Sequence, residues 1–390
     1  GTAITTGDYN TLIGYRAGYT ATTATYLTIL GYKAAQNLTA DTGDASGTIA
    51  IGGFAFNDLT DGQYNIAIGY RAGANTTTSD YSTFLGYEAG YGNDSTALTG
   101  NSNTCIGWHT GYALEGTAQN NLLVGVSAGL SLTTGTHNTM LGNFAGDAIT
   151  TSVSCVLIGH AAGGAINSTD ANGSVAVGYN ALLANTDGIR NTAVGYSALK
   201  ANVQGDNNTA IGYNAMLHYN AESAGEGNNT VLGNAAGTYL EYGQNNTFVG
   251  SSAGYSASAD RLDGDGNTAI GYAAGYALQG AANLNTLVGN TAGYAITTGT
   301  YNAFIGASAG VAVTTGDYNV AIGTCLGTNI DGSYNIAIGH SALDTFEANS
   351  SGDGKNIAIG HESGRYVSTG EANIFMGHEA GTGTSGTATT

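Results

Sequence analysis

Three histidines near the end of the chain have the residue type and the regular spacing that a metal site would use. His340, His361 and His378 each follow a glycine and recur at nearly even intervals along the chain. Neutral imidazoles can ligate zinc and similar ions. In a fold that repeats at these intervals, simple stacking of the three rings also explains the row. We therefore predict a histidine row and assign no metal site.

A second group of possible ligands lies in the segment DGDGN. Asp263, Asp265 and Asn267 supply the oxygen atoms that calcium prefers, but the bidentate glutamate of an EF-hand is missing. The segment also does not recur at a nine-residue period. A solvated turn is the favoured interpretation, and calcium binding is the weaker one.

Tyrosine recurs at the position directly after the same glycines, as in Tyr179, Tyr196 and Tyr213. Such a row has two interpretations. It could be an aromatic platform for contact with a glycan or a protein, or it could be the packing of like side chains between neighbouring repeats.

The sequence contains no pattern that indicates catalysis: no acid–base pair, phosphate loop or Cys/His cluster stands out. We predict no enzyme activity and no cofactor.

The glycines that carry these candidates mark a repeat over the whole chain. A glycine preceded by two apolar residues occurs 21 times, from Gly14 to Gly377. Eleven of the 20 spacings equal 17, as between Gly195 and Gly212, and five equal 21, as between Gly212 and Gly233. The repeat keeps its register throughout, so residues 1–390 are predicted to form one continuous repeat domain, as part of a longer fibre.

Each repeat contains an apolar run of only three or four residues, rich in Ile, Val and Thr and bounded by Gly and Asn. This is too short for a helix and is typical of a short strand. One such strand in about 17 residues fits one coil of a β-solenoid. The fold class is therefore predicted to be all-β, a parallel β-solenoid or β-roll of about 21 coils. Stacked coils turn each repeat position into a column of like residues.

Asparagine stands four residues before the glycine in 16 of the 21 repeats. In stacked coils these side chains could bond to one another as an amide ladder, or they could serve the turn that begins the strand. The ladder is the favoured interpretation. Its proposed members include Asn191, Asn208, Asn229, Asn246, Asn267 and Asn285.

The two residues before each glycine are both apolar, although neighbouring residues in a strand point to opposite faces. One column would fill the core, and the other would be an apolar stripe larger than soluble monomers usually expose. We expect identical chains to cover it by self-association. The proposed core or interface column includes Ile13, Ile68, Ile106, Val194, Ile211, Ile270, Ile305, Ile322, Ile338 and Ile359.

The segments SVAVGYNA (174–181), NTAVGYSA (191–198) and NTAIGYNA (208–215) resemble the head repeats of trimeric autotransporter adhesins and related repeats of phage tail fibres. The resemblance implies a left-handed parallel β-roll, three chains side by side, and a role in attachment at a bacterial surface. The coil of this chain is longer than the coil that is frequent in that family, and no coiled-coil stalk or membrane anchor occurs in this sequence.

The composition of the chain argues against two classes of partner, nucleic acids and the membrane interior. The net charge is −19 with only eight Lys and Arg, which argues against nucleic-acid binding. No stretch approaches the apolar length of a membrane span. We expect an extracellular or cell-surface, non-enzymatic fibre, with itself as partner in trimers or a filament, and a host or cell-surface protein or glycan as a further possible partner. The alternatives are a self-polymerising filament, a phage tail fibre and an ice-binding solenoid.

Overall fold

A computed structural model of the chain describes residues 4–39, 45–92, 95–167, 172–221, 226–256, 261–327, 331–346, 354–367 and 370–383. The chain forms two compact units, residues 1–191 and 192–390. Each unit is a parallel β-solenoid in which one coil contributes one three-residue strand. Each coil corresponds to one repeat of the sequence, and the described residues contain no helix. The predicted fold class is confirmed.

The described residues of unit 1 contain ten strands, and those of unit 2 contain eleven. The strands of unit 1 are β1 (Thr11–Ile13), β2 (Thr28–Leu30), β3 (Ile49–Ile51), β4 (Ile66–Ile68), β5 (Thr83–Leu85), β6 (Thr104–Ile106), β7 (Leu122–Val124), β8 (Thr139–Leu141), β9 (Val156–Ile158) and β10 (Val175–Val177). Those of unit 2 are β11 (Thr192–Val194), β12 (Thr209–Ile211), β13 (Thr230–Leu232), β14 (Thr247–Val249), β15 (Thr268–Ile270), β16 (Thr286–Val288), β17 (Ala303–Ile305), β18 (Val320–Ile322), β19 (Ile336–Ile338), β20 (Ile357–Ile359) and β21 (Ile374–Met376).

Within each unit, every strand pairs in parallel with the next strand along the chain, and the register never slips. Between β11 and β12, which are joined by a coil of the common length, Thr192 lies opposite Thr209. Between β12 and β13, which are joined by one of the longer coils, Thr209 still lies opposite Thr230. The additional residues of a longer coil are therefore accommodated outside the strand, and each repeat position stays in its column.

The repeat glycine is required by the close approach of successive coils. Gly212 has a φ of +138°, and a Cβ atom at this residue would lie 2.3 Å from the carbonyl oxygen of Gly233 in the next coil. A side chain would thus meet backbone that cannot move without breaking the ladder. This contact explains why glycine occupies the position in all 21 repeats.

The core consists of four columns. The central residue of each strand is buried in all coils except the first and last of the structure, as with Ala210 and Phe248. A second column, three residues after the glycine, is almost entirely alanine and fully buried, as at Ala236. Larger residues such as Leu240 and Ile296 form the third column, and buried asparagines form the fourth. The narrow alanine column sets the cross-section of the coil.

Replacing Ala236 by leucine should reduce the free energy of unfolding by about 1–3 kcal/mol, because the fully buried site has no room for three more carbon atoms. Ala307, an exposed alanine of the same unit, provides the control. Ala307→Leu should change stability by less than about 0.5 kcal/mol. Chemical denaturation followed by circular dichroism compares the two variants, and equal effects would contradict the assignment of the alanine column to the core.

Candidate functional site

The outer side of the strands carries a column of aliphatic side chains directly before the glycine. Burial alternates along each three-residue strand, so the central residue points inward and the two flanking residues point outward. All ten residues proposed for the core or interface column lie in this outward column, half-buried or exposed. Ile13 is 58% exposed, Ile270 39% and Ile305 45%. The core itself is filled by the preceding column, so the aliphatic column is a surface feature of each unit.

The first residue of each strand forms a second outward column beside the aliphatic one. In unit 2 its composition changes along the chain. Six successive coils carry threonine, from Thr192 to Thr286, and the coils from β18 onward carry valine or isoleucine. In the pairs Val320 with Ile322 and Ile357 with Ile359, both outward residues are aliphatic. The apolar part of the outer face is therefore wider over the last four coils of unit 2.

The asparagine column forms a continuous amide ladder in unit 2. The backbone N–H of Asn285 donates to Oδ1 of Asn267 at 3.1 Å, and its Nδ2 donates to the same oxygen at 3.0 Å. Nδ2 also donates to the carbonyl oxygen of Gly299 at 2.8 Å. The backbone bond recurs at every step from Asn208 to Asn373. A side chain such as that of Asn285 thereby accepts a hydrogen bond from the next coil and donates one to a turn carbonyl.

The column is interrupted in unit 1, where five residues replace asparagine: Leu27, Thr48, Ser82, Cys155 and Ser174. The hydroxyl group of Thr48 still donates to a turn carbonyl, that of Gly62, at 3.3 Å. Asn191 lies fully buried at the end of this unit.

The tyrosine row is a stack of rings. In unit 2 the ring centroids of Tyr196 and Tyr213 are 5.4 Å apart and the planes differ by 16°. In unit 1, Tyr179 stacks on His160 at 5.2 Å. Ring faces are therefore covered by their neighbours, although Tyr196 and Tyr213 remain about half exposed. A sugar needs an open ring face, so stacked residues in the middle of such a row do not provide one.

Two further aromatic rows were not found from the sequence. Tyr301, Tyr318 and Tyr334 stack at 4.7 and 5.0 Å, with planes parallel within 4°. Tyr276 stacks between Tyr255 and Tyr294 at 5.0 and 4.9 Å. The sequence contains the pattern that predicts these two rows, because the tyrosines of one row stand at a fixed distance before the repeat glycine and those of the other at a fixed distance after it.

The three candidate histidines stack in the same way. His361 lies 5.4 Å from His340 and 5.1 Å from His378, with planes within 12° of parallel. Face-to-face rings direct their nitrogen atoms sideways and do not converge on one ion. Across the described ranges, no group of three or more His, Cys, Asp and Glu side chains is arranged to hold a metal ion.

The side-chain oxygen atoms of the DGDGN segment are not arranged around a common ion site either. Asp263 and Asp265 are exposed, whereas Asn267 is buried in the amide ladder. Oδ1 of Asp265 accepts a hydrogen bond from the backbone N–H of Gln244 at 2.7 Å, which ties two neighbouring coils together.

The cysteines are not poised for chemistry. Cys105, Cys155 and Cys325 are buried and form no disulfide bonds. Burial raises the pKa of the Cys105 thiol well above its usual range, so the reactive thiolate is disfavoured.

In the part of the chain that the structure describes, no helix has the length and apolar character needed to cross a membrane.

Comparison with known proteins yields no assignment. No protein-family model matches the chain, and no curated protein matches it. The solenoid fold therefore rests on the structure, and the sites available for function are the outward columns of the two units.

Proposed function

We propose that the chain is part of an extracellular structural and adhesive fibre in which identical chains pack side by side, as trimers, along their outward aliphatic columns. The observation that carries the proposal is the exposure of this column. Isoleucine, leucine or valine stands there in every coil but the last of the structure, where it is Met376. Soluble monomers rarely expose a contiguous apolar surface of more than a few hundred Å².

A second copy of the chain is the occupant that best fits this surface. The column repeats at the strand spacing of about 4.8 Å. A partner with another axial repeat would lose register within a few coils, whereas an identical solenoid has the same repeat by construction. Closed rotational symmetry among identical chains also covers every copy of the column at once.

A stiff, repetitive solenoid suits a spacer that holds other groups away from a surface. Continuous backbone ladders and the buried amide ladder hold the coils together without disulfide bonds, since Cys105, Cys155 and Cys325 form none. The exposed turns and aromatic edges are the parts available for attachment. Attachment at a cell surface and membership of a phage tail fibre are two settings for the same design, and both agree with the resemblance of the NTAIGYNA repeats.

The mass of the assembled species in solution tests the proposal. We expect light scattering on the purified chain to give three times the mass of 38.9 kDa, with discrete particles in electron micrographs. Open-ended filaments would favour a self-polymerising structural fibre. A stable monomer at high concentration would refute the packing of identical chains along the aliphatic column.

An ice-binding surface is the second candidate, and the run of threonines from Thr192 to Thr286 favours it. These hydroxyl groups point outward at the strand spacing beside an aliphatic column, on a regular face. Packing between chains would cover the same face, so the two functions exclude each other there. Thermal hysteresis in a solution of monomers would support ice binding, and its absence would exclude it.

A further inference from the structure

The aliphatic column of unit 2 cannot by itself fix how far one chain is shifted along its neighbour. The column carries isoleucine, valine or leucine in every coil from β11 to β20, at the coil spacing of about 4.8 Å. A neighbouring chain displaced by one whole coil would therefore meet nearly the same surface. If identical chains pack side by side in one register, residues that differ between coils must select that register.

A row of exposed tyrosines lies beside the outward columns in only three coils of unit 2. The residue five before the repeat glycine is Tyr301, Tyr318 and Tyr334 in these successive coils. Their side chains are 48%, 44% and 56% exposed. From Tyr334 to Ile338, exposed or half-buried residues alternate with buried ones. This alternation places the tyrosine row on the same outer side of the coils as the two outward columns of the strands.

The tyrosine row is ordered by contacts within the chain. Its rings stack at 4.7 and 5.0 Å, with planes parallel within 4°. The residues directly before the three tyrosines are also joined by hydrogen bonds. Oδ1 of Asp317 accepts from the backbone N–H of Thr300 at 2.7 Å, and the N–H of Asp317 donates to Oγ of Ser333 at 3.0 Å. Because rings and backbone are already held in place, the tyrosines lose little conformational freedom when a partner binds.

The aliphatic surface widens in the same part of unit 2. Val320 and Ile336 occupy the first outward column of β18 and β19, where six earlier coils carry threonine. Ile322 and Ile338 occupy the second outward column of these strands. Each of the two coils therefore presents one tyrosine and two aliphatic side chains on its outer side. We call this surface, the tyrosine row with the outward residues of β18 and β19, the docking patch.

The charge distribution favours a second copy of the chain as the occupant of this patch. In unit 2, Lys355 is the only Lys, Arg, Asp or Glu in the tyrosine column and the two outward strand columns, although the whole chain has a net charge of −19. Copies of an acidic chain repel one another wherever their charged surfaces meet. An uncharged surface of aromatic and aliphatic side chains is where such copies can approach.

We propose that copies of the chain dock on one another through the docking patch, and that this contact sets the axial register of the assembly. Under cyclic symmetry the same coils of every chain lie at the same height, so each patch meets the patch of its neighbours. A shift of several coils would place the patch against the asparagines and threonines of the coils of β12 to β14, where polar groups would lose water. The register with patch on patch is therefore the most stable one.

This inference rests on the proposed function and adds to it which residues dominate the contact. Truncation of tyrosine is among the changes that weaken protein interfaces most, and interface energy is concentrated in a few side chains. The aliphatic column supplies a continuous apolar surface along unit 2, whereas the patch supplies the part that differs from coil to coil. Loss of the patch should therefore affect both the affinity and the uniformity of the assembly.

The double variant Tyr318→Asn with Tyr334→Asn tests the proposal in the full chain. Asparagine occupies this column in three other coils of unit 2, at a φ between 55° and 59°, so the variant should stay folded. Sedimentation velocity over a range of concentrations should show the dissociation constant of the assembly raised by at least about ten-fold. The single three-chain mass should also give way to a mixture of masses, because no one register is selected.

Tyr276→Asn with Tyr294→Asn is the matched control, because it removes two stacked rings, 4.9 Å apart, from a column outside the docking patch. Its dissociation constant should stay within about two-fold of that of the unmodified chain. A second variant, Val320→Thr with Ile336→Thr, gives β18 and β19 the threonine of the earlier coils and should weaken assembly by at least about ten-fold. Melting temperatures of all variants show whether a loss reflects unfolding.

The outcomes separate this inference from the proposed function. If the unmodified chain assembles and both patch variants keep its affinity, the inference is overturned and the proposed function stands. An equal loss in the control also overturns the inference, because rings outside the patch would then matter as much. A monomeric unmodified chain overturns both, and the patch would then belong to a partner other than a second copy.

Discussion

Replacing Ile270 and Ile305 together by lysine should convert the assembled chain to monomers. Both side chains lie in the outward aliphatic column of unit 2, 39% and 45% exposed. In the proposed assembly each lysine would be buried against a like charge from a neighbouring chain. Burying an unpaired charge costs several kcal/mol, so we expect the dissociation constant to rise by at least about a hundred-fold. Sedimentation velocity over a range of concentrations measures the change.

The matched control is Ala281→Lys combined with Thr298→Lys. These residues are exposed turn positions of the same unit, so the variant carries the same two additional charges away from the aliphatic column. Its assembly should equal that of the unmodified chain. If both double variants dissociate, net charge and not the aliphatic column governs assembly. If the isoleucine variant remains assembled, the column is not the interface.

The repeat made most of the fold predictable from the sequence. Each strand follows from a short aliphatic run bounded by asparagine and glycine, and the glycine column fixes the register. Gly212 shows why the register cannot drift, because its contact with Gly233 leaves no space for a side chain. The buried alanine and asparagine columns were predictable for the same reason: a position that repeats in every coil has the same surroundings in every coil.

The direction of the two apolar columns could not be decided from the sequence. Alternation in a strand indicates that Ala269 and Ile270 face opposite ways, but not which one faces the core. The structure places the central residue of the strand inside, whether that residue is small, as with Ala269, or large, as with Phe248. The relative orientation of the aromatic rings also could not be predicted from the sequence. The spacing of Tyr196 and Tyr213 allows a platform or a stack, and only the ring planes show that it is a stack.

Local departures from the repeat could not be interpreted from the sequence. Gly53 stands directly after a repeat glycine, where other coils carry a tyrosine, and Asn57 and Ala74 stand at the repeat position that Tyr91 and Tyr112 occupy in the next two coils. Averaging over the repeats hides such departures, although the regular coils already build the scaffold. In a solenoid, the sites that distinguish one coil from another are therefore to be sought where a column changes residue type.

Shortening Asn285 to alanine should be one of the most destabilising single changes in unit 2. Asn285 is fully buried, and its Oδ1 accepts hydrogen bonds from the backbone N–H and the Nδ2 of Asn302 at 3.0 and 3.1 Å. Its own Nδ2 donates to Gly299 at 2.8 Å. The alanine variant leaves the N–H of Asn302 and the carbonyl of Gly299 buried without these partners. Each such loss costs about 1–3 kcal/mol, so the free energy of unfolding should fall by about 2–6 kcal/mol.

Two matched variants identify the hydrogen bonds as the cause. Asn290→Ala removes an exposed amide of the same coil and should change stability by less than about 0.5 kcal/mol. Asn285→Thr should lie between the two, because Thr48 occupies this column in unit 1 and still donates to a turn carbonyl. Chemical denaturation gives the order. If threonine and alanine at position 285 cost the same, lost packing and not the hydrogen bond to the turn sets the stability. If Asn285→Ala matches Asn290→Ala, the amide ladder contributes nothing to the stability of the coils that it joins.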